Sequence, residues 1–267
     1  MVEQLPDWAP AGVDPSIPSV ARVYDYFLGG EHHFESDRAL AARVTAVAPD
    51  VPLIVRANRA FLHRAVRYLL DQGVRQFLDL GSGIPSVENI HEIAERQAPG
   101  SRVLYVDHDP VAVAQTEQIL RGRPRARVLQ ADVRRPTEIL DAADLLDFSR
   151  PVGVLMASVL HFVPESDRPQ EIVRQLHDRL APGSHLAISH VTAEVRPQVS
   201  DGISNAYAAS TNPVHPRTRA EVIALFDGWE LVEPGAVWVP SWHPDRPEDV
   251  GPDPASTSVI AAVGRRP

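Results

Sequence analysis

The sequence predicts an α/β fold: a mostly parallel, doubly wound sheet covered by helices on both faces and preceded by a run of helices. Three observations carry this. Short apolar strand signals at 74–80, 102–107, 126–131, 152–158 and 184–190 alternate with helix signals at about 86–97, 110–121, 137–147 and 167–181. Strands that are apolar along their whole length and separated by helices indicate a parallel sheet buried on both sides. The stretch Phe77-Leu78-Asp79-Leu80-Gly81-Ser82-Gly83 runs as an apolar strand, turns acidic and breaks at two glycines. Val87, Ile90, Ile93 and Ala94 then recur at helical spacing. Finally, each of the first three strands ends at an acid, namely Asp79, Asp107 and Asp132.

Taken in order, the chain opens with a Pro-rich segment to about Pro18 that is expected to be poorly ordered. Ser19 is placed to cap a helix over 20–28, closed by Gly29 and Gly30. A second helix is expected at about 36–48 and a third at about 52–70. The third carries Ile54, Ala57, Phe61, Ala65 and Tyr68 on one face and Arg56, Arg59, Arg64 and Arg67 mostly elsewhere. After the five strands, Thr218-x-x-Glu221 reads as a capping box opening a helix to Phe226. Strand signals at 229–232, 236–239 and 257–263 close the chain, with a Pro-rich loop at 240–255.

Composition narrows the chemistry. The 267 residues suffice for a full core in a single domain, divided into helices at 1–73 and an α/β core at 74–267. Cysteine is absent, which excludes disulfides, a thiol nucleophile and thiolate metal sites. All 26 basic residues are arginine, which excludes Schiff-base chemistry and a P-loop lysine. The net charge of −9 argues against a nucleic-acid partner. No apolar run approaches membrane-spanning length, and the N-terminus lacks the features of a secretory signal, so a cytoplasmic location is expected. Glu31-His32-His33 reads as a solvated loop rather than a metal cluster, and no metal site is expected.

Ligands of doubly wound sheets bind at the carboxyl edge of the strands, beside the switch point. Three carboxylates at that edge, behind a glycine loop, suit a ligand with a cationic amine, a ribose diol and an adenine amino group. The alternative is that each acid merely caps a turn or helix. At these residues the chain resembles the class I S-adenosylmethionine-dependent methyltransferases: Asp79-x-Gly81-x-Gly83 resembles their first motif, Val106-Asp107-His108-Asp109-Pro110 their second and Ala131-Asp132-Val133 their third. The resemblance implies a seven-stranded sheet ending in an antiparallel hairpin. It also implies S-adenosylmethionine as cofactor, bound through Asp79, Gly81, Ser82, Gly83, Asp107, His108, Asp132, Val133 and Ser158. Pro85 replaces the usual third glycine, which stiffens the loop and removes an N–H from the methionine carboxylate. A narrower resemblance, carried by residues 21–30, Arg56-Ala57-Asn58-Arg59-x-Phe61 and Gly81-Ser82-Gly83-Ile84-Pro85, is to a bacterial group of methyltransferase-fold proteins with no assigned acceptor. It implies that the N-terminal helices cap the cofactor pocket.

The acceptor side is less legible. Ala157-Ser158-Val159-Leu160-His161-Phe162 lacks the Asn/Asp-Pro-Pro-aromatic pattern of amide and exocyclic nitrogen methylation and resembles small-molecule methyltransferases. His161 is a candidate general base or acceptor-orienting group, or else a histidine packed under the site. Tyr24, Asp25, Tyr26, Asn58, Tyr207, Asn212 and His215 are further candidates for lining the pocket or its lid. The function expected is methyl transfer to a small molecule. The alternatives are a non-catalytic S-adenosylmethionine sensor and a nicotinamide oxidoreductase, the latter disfavoured by Ser86 in the place of a glycine.

Overall fold

The structure is a computed structural model that describes residues 5–86, 88–208, 210 and 212–267. Val87 of the expected helical pattern lies outside the described residues. Three helices come first: α1 (Val20–Leu28), α2 (Glu35–Val47) and α3 (Val51–Asp71). The alternating part follows as β1 (Gln76–Leu80), α4 (Ile90–Gln97), β2 (Arg102–Asp107), α5 (Pro110–Ile119), β3 (Ala126–Gln130), α6 (Pro136–Ala142), β4 (Gly153–Ala157), α7 (Pro169–Arg179) and β5 (His185–Val191). Then come α8 (Pro197–Tyr207), α9 (Arg219–Ala224), β6 (Glu230–Leu231), β7 (Val237–Trp238) and β8 (Val259–Arg265).

The sheet runs β3-β2-β1-β4-β5-β8, with β6 and β7 both on the outer edge of β8. The first five strands are parallel and β8 is antiparallel to β5. Eight strands thus occupy seven positions, because β6 and β7 are two-residue strands sharing one edge. The order reverses between β1 and β4, which opens a crevice at their carboxyl ends.

All five residues of β1 are buried, as a central strand covered on both faces requires. One face packs against Phe61–Leu70 of α3, against α4 and against the wholly buried Trp242. The other face packs against α6, α7 and the end of α9. The amino-terminal part of α3 instead joins α1, α2 and α8 in a separate apolar cluster with Val51 and Val55. The third helix therefore serves both as a layer of the sheet and as part of the cover over its carboxyl edge.

Several local expectations change. Residues 5–18 contain no helix or strand, yet they are docked: Trp8 packs on Phe34 at 4.8 Å and its carbonyl accepts from Gln115 Nε2 at 2.8 Å. Ser19 occupies the cap position of α1, but its hydroxyl donates to the Asp109 carboxylate instead of capping the helix. Arg64 is buried, donating to the carbonyls of Trp242 and Val239 at 2.8 Å each, so it points inward from α3. Helix α8 was not foreseen. Gly202 broke its pattern, although that glycine allows close approach to Val47 of α2, where an added Cβ would sit 3.2 Å away. Pro197 in its first turn, with Val199, Ile203 and Tyr207 at four-residue spacing, was the available signal.

The helices at the amino end are held to the sheet by a buried ionic cluster. Arg22 of α1 pairs with Asp37 of α2 at 2.8 Å and with Asp109, the N-cap of α5, at 3.3 Å. The remaining oxygens are also satisfied: Asp37 accepts from the N–H groups of Ser19 and Phe34, and Asp109 from Val111 and Ala112. Arg22→Met leaves two buried carboxylates without a counter-ion and is expected to cost about 3–5 kcal/mol. Arg22→Lys, which lacks the planar fork, should recover only part of that. The urea midpoints of the two variants check this.

Candidate functional site

A cleft opens at the carboxyl ends of β1, β2 and β4. The glycine loop after β1 forms part of its wall. Gly81 N–H and Ser82 N–H donate to the Val106 carbonyl at 2.8 and 3.0 Å, and Gly83 N–H donates to Asp107 Oδ2 at 2.7 Å. Gly81 has φ +70°, and a Cβ there would meet Val159 Cγ2 at 2.5 Å, so only glycine fits. Helix α4 does not present its N-terminus to the cleft. It begins at Ile90, its His91 N–H is taken by the Tyr105 hydroxyl at 2.9 Å, and Asn89 N–H goes to Glu92 at 2.8 Å. These two N–H groups are therefore taken by partners within the protein.

The three strand-end acids all line the cleft, in three different states. Asp79 is 3% exposed, and its carboxylate has no hydrogen-bond partner among the described residues. Burial raises its pKa to about 7, Asp107 adding to the rise and Arg59 opposing it. Asp107 is buried and raised by desolvation, which the N–H groups of Asp109 and Gly83 and the neighbouring His108 counter. Asp132 is more open. Burial raises its pKa, but the hydrogen bonds from Arg134 outweigh this and hold it below the usual range. Arg134 Nε reaches both Asp132 oxygens at 3.0 and 2.9 Å, so this acid already has a partner. His108, Val133 and Ser158 border the cleft as expected, and Ser158 does so with φ +58° at the end of β4.

Arg59, which helical spacing places mostly off the apolar face of α3, also reaches the cleft. Its Nε is buried without a partner, and no carboxylate lies within ion-pair distance among the described residues. The surrounding Arg-Ala-Asn-Arg pattern, which also supplies Asn58, was the available signal. Among the described residues, Asp79 and Arg59 thus line the cleft without a hydrogen-bond or ion-pair partner.

A second cavity lies beneath α1, α2 and α8. It shares Val20, Tyr24, Asn58, Ser158 and Phe162 with the cleft. A chain of hydrogen bonds runs through this shared wall. Ser158 N–H donates to Ser189 Oγ at 2.9 Å, Ser189 Oγ to Asn58 Oδ1 at 2.5 Å, Asn58 Nδ2 to the Tyr24 hydroxyl at 2.9 Å, and that hydroxyl to the Val55 carbonyl at 3.2 Å. His161 and Tyr207 line the second cavity, and Asn212 lines the first. His161 is 5% exposed; burial, then His190, Arg217 and His215, hold its pKa well below the usual imidazole value, so the ring is neutral.

Three expected residues are placed elsewhere. Tyr26 is 39% exposed and packs edge-on against His33, because successive helix positions diverge by about 100° and Tyr24 takes the inward direction. Asp25 is buried under the turn after α1, accepting from His32 N–H at 3.0 Å, and it fills the space that a side chain at Gly30 would need. His215 borders neither cavity; its N–H donates to the His161 carbonyl at 2.7 Å.

The comparisons agree with this geometry. A family profile described as S-adenosyl methyltransferase matches residues 6–267. A crystal structure of a DUF574 family protein from Streptomyces avermitilis MA-4680 is 41% identical, with TM-score 0.90, covering 95% of this chain and 99% of that one. A second, from Thermobifida fusca YX, is 37% identical, with TM-score 0.91 and coverage of 98% and 99%. An O-methyltransferase family protein from Burkholderia thailandensis shares the fold at 15% identity and TM-score 0.51, covering 94% of this chain and 64% of that one. Comparison with curated proteins returns no match. The free acid, the glycine loop and the match along nearly the whole chain lead to one assignment: the chain belongs to the S-adenosyl methyltransferase family, as an enzyme that uses S-adenosylmethionine.

Proposed function

We propose that this enzyme methylates a small molecule held in the second cavity. The observation that carries this is the shared wall, since five residues line both cavities. The cleft residues would hold a cofactor that would supply a methyl group on a sulfonium, open to displacement by an acceptor lone pair with the bonding pair retained by sulfur, and the acceptor proton would pass to water or His161. Such an in-line displacement needs chiefly alignment and exclusion of water.

The side chains divide the binding accordingly. Asp79, buried and unpartnered, suits the cofactor's ammonium group. Arg59, whose Nε lacks a partner, suits the carboxylate for which Pro85 offers no N–H. Asp107 is placed for the ribose hydroxyls, its two oxygens each retaining a lone pair beyond the bonds to Gly83 and Asp109. Asp132 and Val133 border the part of the cleft suited to adenine, and Asp132 is held ionised as an acceptor by Arg134. Tyr24 and Asn58 keep the cleft and the acceptor cavity in fixed relation. No helix among the described residues is long and apolar enough to cross a membrane.

An acid with folded pKa near 7 must lose its proton to meet an ammonium group, so affinity for S-adenosylhomocysteine should fall about tenfold from pH 8 to pH 6. Asp79→Asn should bind weakly with no such dependence, as read by calorimetry. Without ligand, the same raised pKa favours the protonated fold, so Asp79 lowers stability as pH climbs from 3.8 towards 7. Arg59→Met should weaken S-adenosylhomocysteine by about 1–3 kcal/mol while leaving an analogue without the carboxylate unaffected. Methyl-labelled S-adenosylmethionine, incubated with the enzyme and fractionated cell extract, should label the low-molecular-weight fraction. Label confined to protein or nucleic acid would overturn the small-molecule reading.

A further inference from the structure

We infer that the second cavity receives an uncharged, largely apolar molecule of ring dimensions whose hydroxyl group is bound by His161. This rests on the reading of that cavity as the acceptor site and narrows the acceptor's chemistry.

The first argument is charge. Among the described residues, Arg196 is the charged side chain that borders the cavity, and it is neutralised by Asp50 at 2.5 and 3.2 Å, with a further bond to the Ser256 carbonyl at 3.0 Å. The titratable groups of the lining are neutral as well. Burial keeps Tyr24 and Tyr207 protonated and His161 uncharged. A carboxylate or ammonium group entering here would lose its water and find no free counter-ion. The walls are apolar, with Phe27, Val44, Ile54, Val199 and Ile203 among them. Phe162 and Tyr207, 6.0 Å apart between centroids, add ring faces suited to a flat partner.

The second argument is an unmet hydrogen-bonding demand. Several polar groups of the lining are already paired: Tyr24 and Asn58 bond each other, and Arg196 is held by Asp50. Ser258 Oγ, at the rim on the β8 side, has no partner among the described residues. His161 is the ring among the unpaired groups: it is 95% buried, borders the cavity and makes no hydrogen bond through its ring among the described residues. Leaving a buried polar ring unsatisfied is costly, and a bound hydroxyl removes the cost. A neutral imidazole carries one donor and one acceptor, so it can pair with a hydroxyl in either sense.

The probes are 2-naphthol, its methyl ether 2-methoxynaphthalene, 2-naphthoate and 2-naphthylmethylammonium, titrated into the enzyme loaded with S-adenosylhomocysteine. 2-Naphthol should bind at least about tenfold more tightly than either ion. Ile203→Trp, which fills the cavity, should abolish naphthol binding while S-adenosylhomocysteine still binds, showing that the variant is folded. His161→Phe, which keeps the ring shape, should weaken 2-naphthol about tenfold and leave the methyl ether unchanged. Either ion matching 2-naphthol, equal losses for both neutral probes in His161→Phe, or no naphthol binding at all overturns the inference and leaves the cofactor site standing. Failure of S-adenosylhomocysteine to bind the wild-type enzyme would instead overturn the methyltransferase site itself.

Discussion

The buried Arg22–Asp37–Asp109 cluster is the interaction on which the rest of the site depends. It joins α1, α2 and the amino end of α5 with charges that are at most 4% exposed. Ion pairs so deep are held only when geometry and hydrogen bonding are nearly complete, and here the backbone N–H groups of five residues supply the completion, counting Asp107's bond to Asp109 N–H. Asp109 stands two residues beyond Asp107, and Asp107 in turn holds Gly83. One turn after β2 therefore sets the position of the helical cover and the shape of the glycine loop together. Moving the cover without disturbing the loop would require breaking this turn.

Against that frame, two groups of the cleft, Asp79 and Arg59, have no hydrogen-bond or ion-pair partner among the described residues. Asp109, Asp107 and Asp132 are all engaged by protein donors, whereas Asp79 and Arg59 are not. Desolvation raises the Asp79 pKa to about 7, so this acid stands near the midpoint of its titration at neutral pH. A pre-formed salt bridge between Asp79 and Arg59 would have paired both groups within the protein.

The wall between the two cavities is polar where its neighbours are apolar. Ser158, Ser189, Asn58 and Tyr24 hand a hydrogen bond from the end of β4 to α1, so the sheet edge, α3 and the cover are tied across the boundary. Because every member is satisfied, the chain fixes the wall without a buried penalty. The strained φ of +58° at Ser158 persists because Ser189 holds its N–H through both Oγ and the carbonyl, at 2.9 and 3.2 Å.

What the sequence determined by itself was everything that repeats locally. The strand–helix alternation, the glycine break after Asp79, the three strand-end acids and the Thr218 capping box are short-range patterns written in the chain, and β1 to β5 lie within one or two residues of their expected bounds. Pairings between distant residues were not legible. Arg22 meets Asp109 across 87 positions, Arg64 meets Val239 across 175, and Asn58 meets Ser189 across 131. For the same reason the periodicity of α3 could not separate solvated arginines from Arg59 and Arg64, nor could the triplet Tyr24-Asp25-Tyr26 say which member turned inward. Helical spacing fixes only the relative directions of side chains. Which direction is the interior depends on what the rest of the fold packs against that helix, and only the tertiary structure decides it.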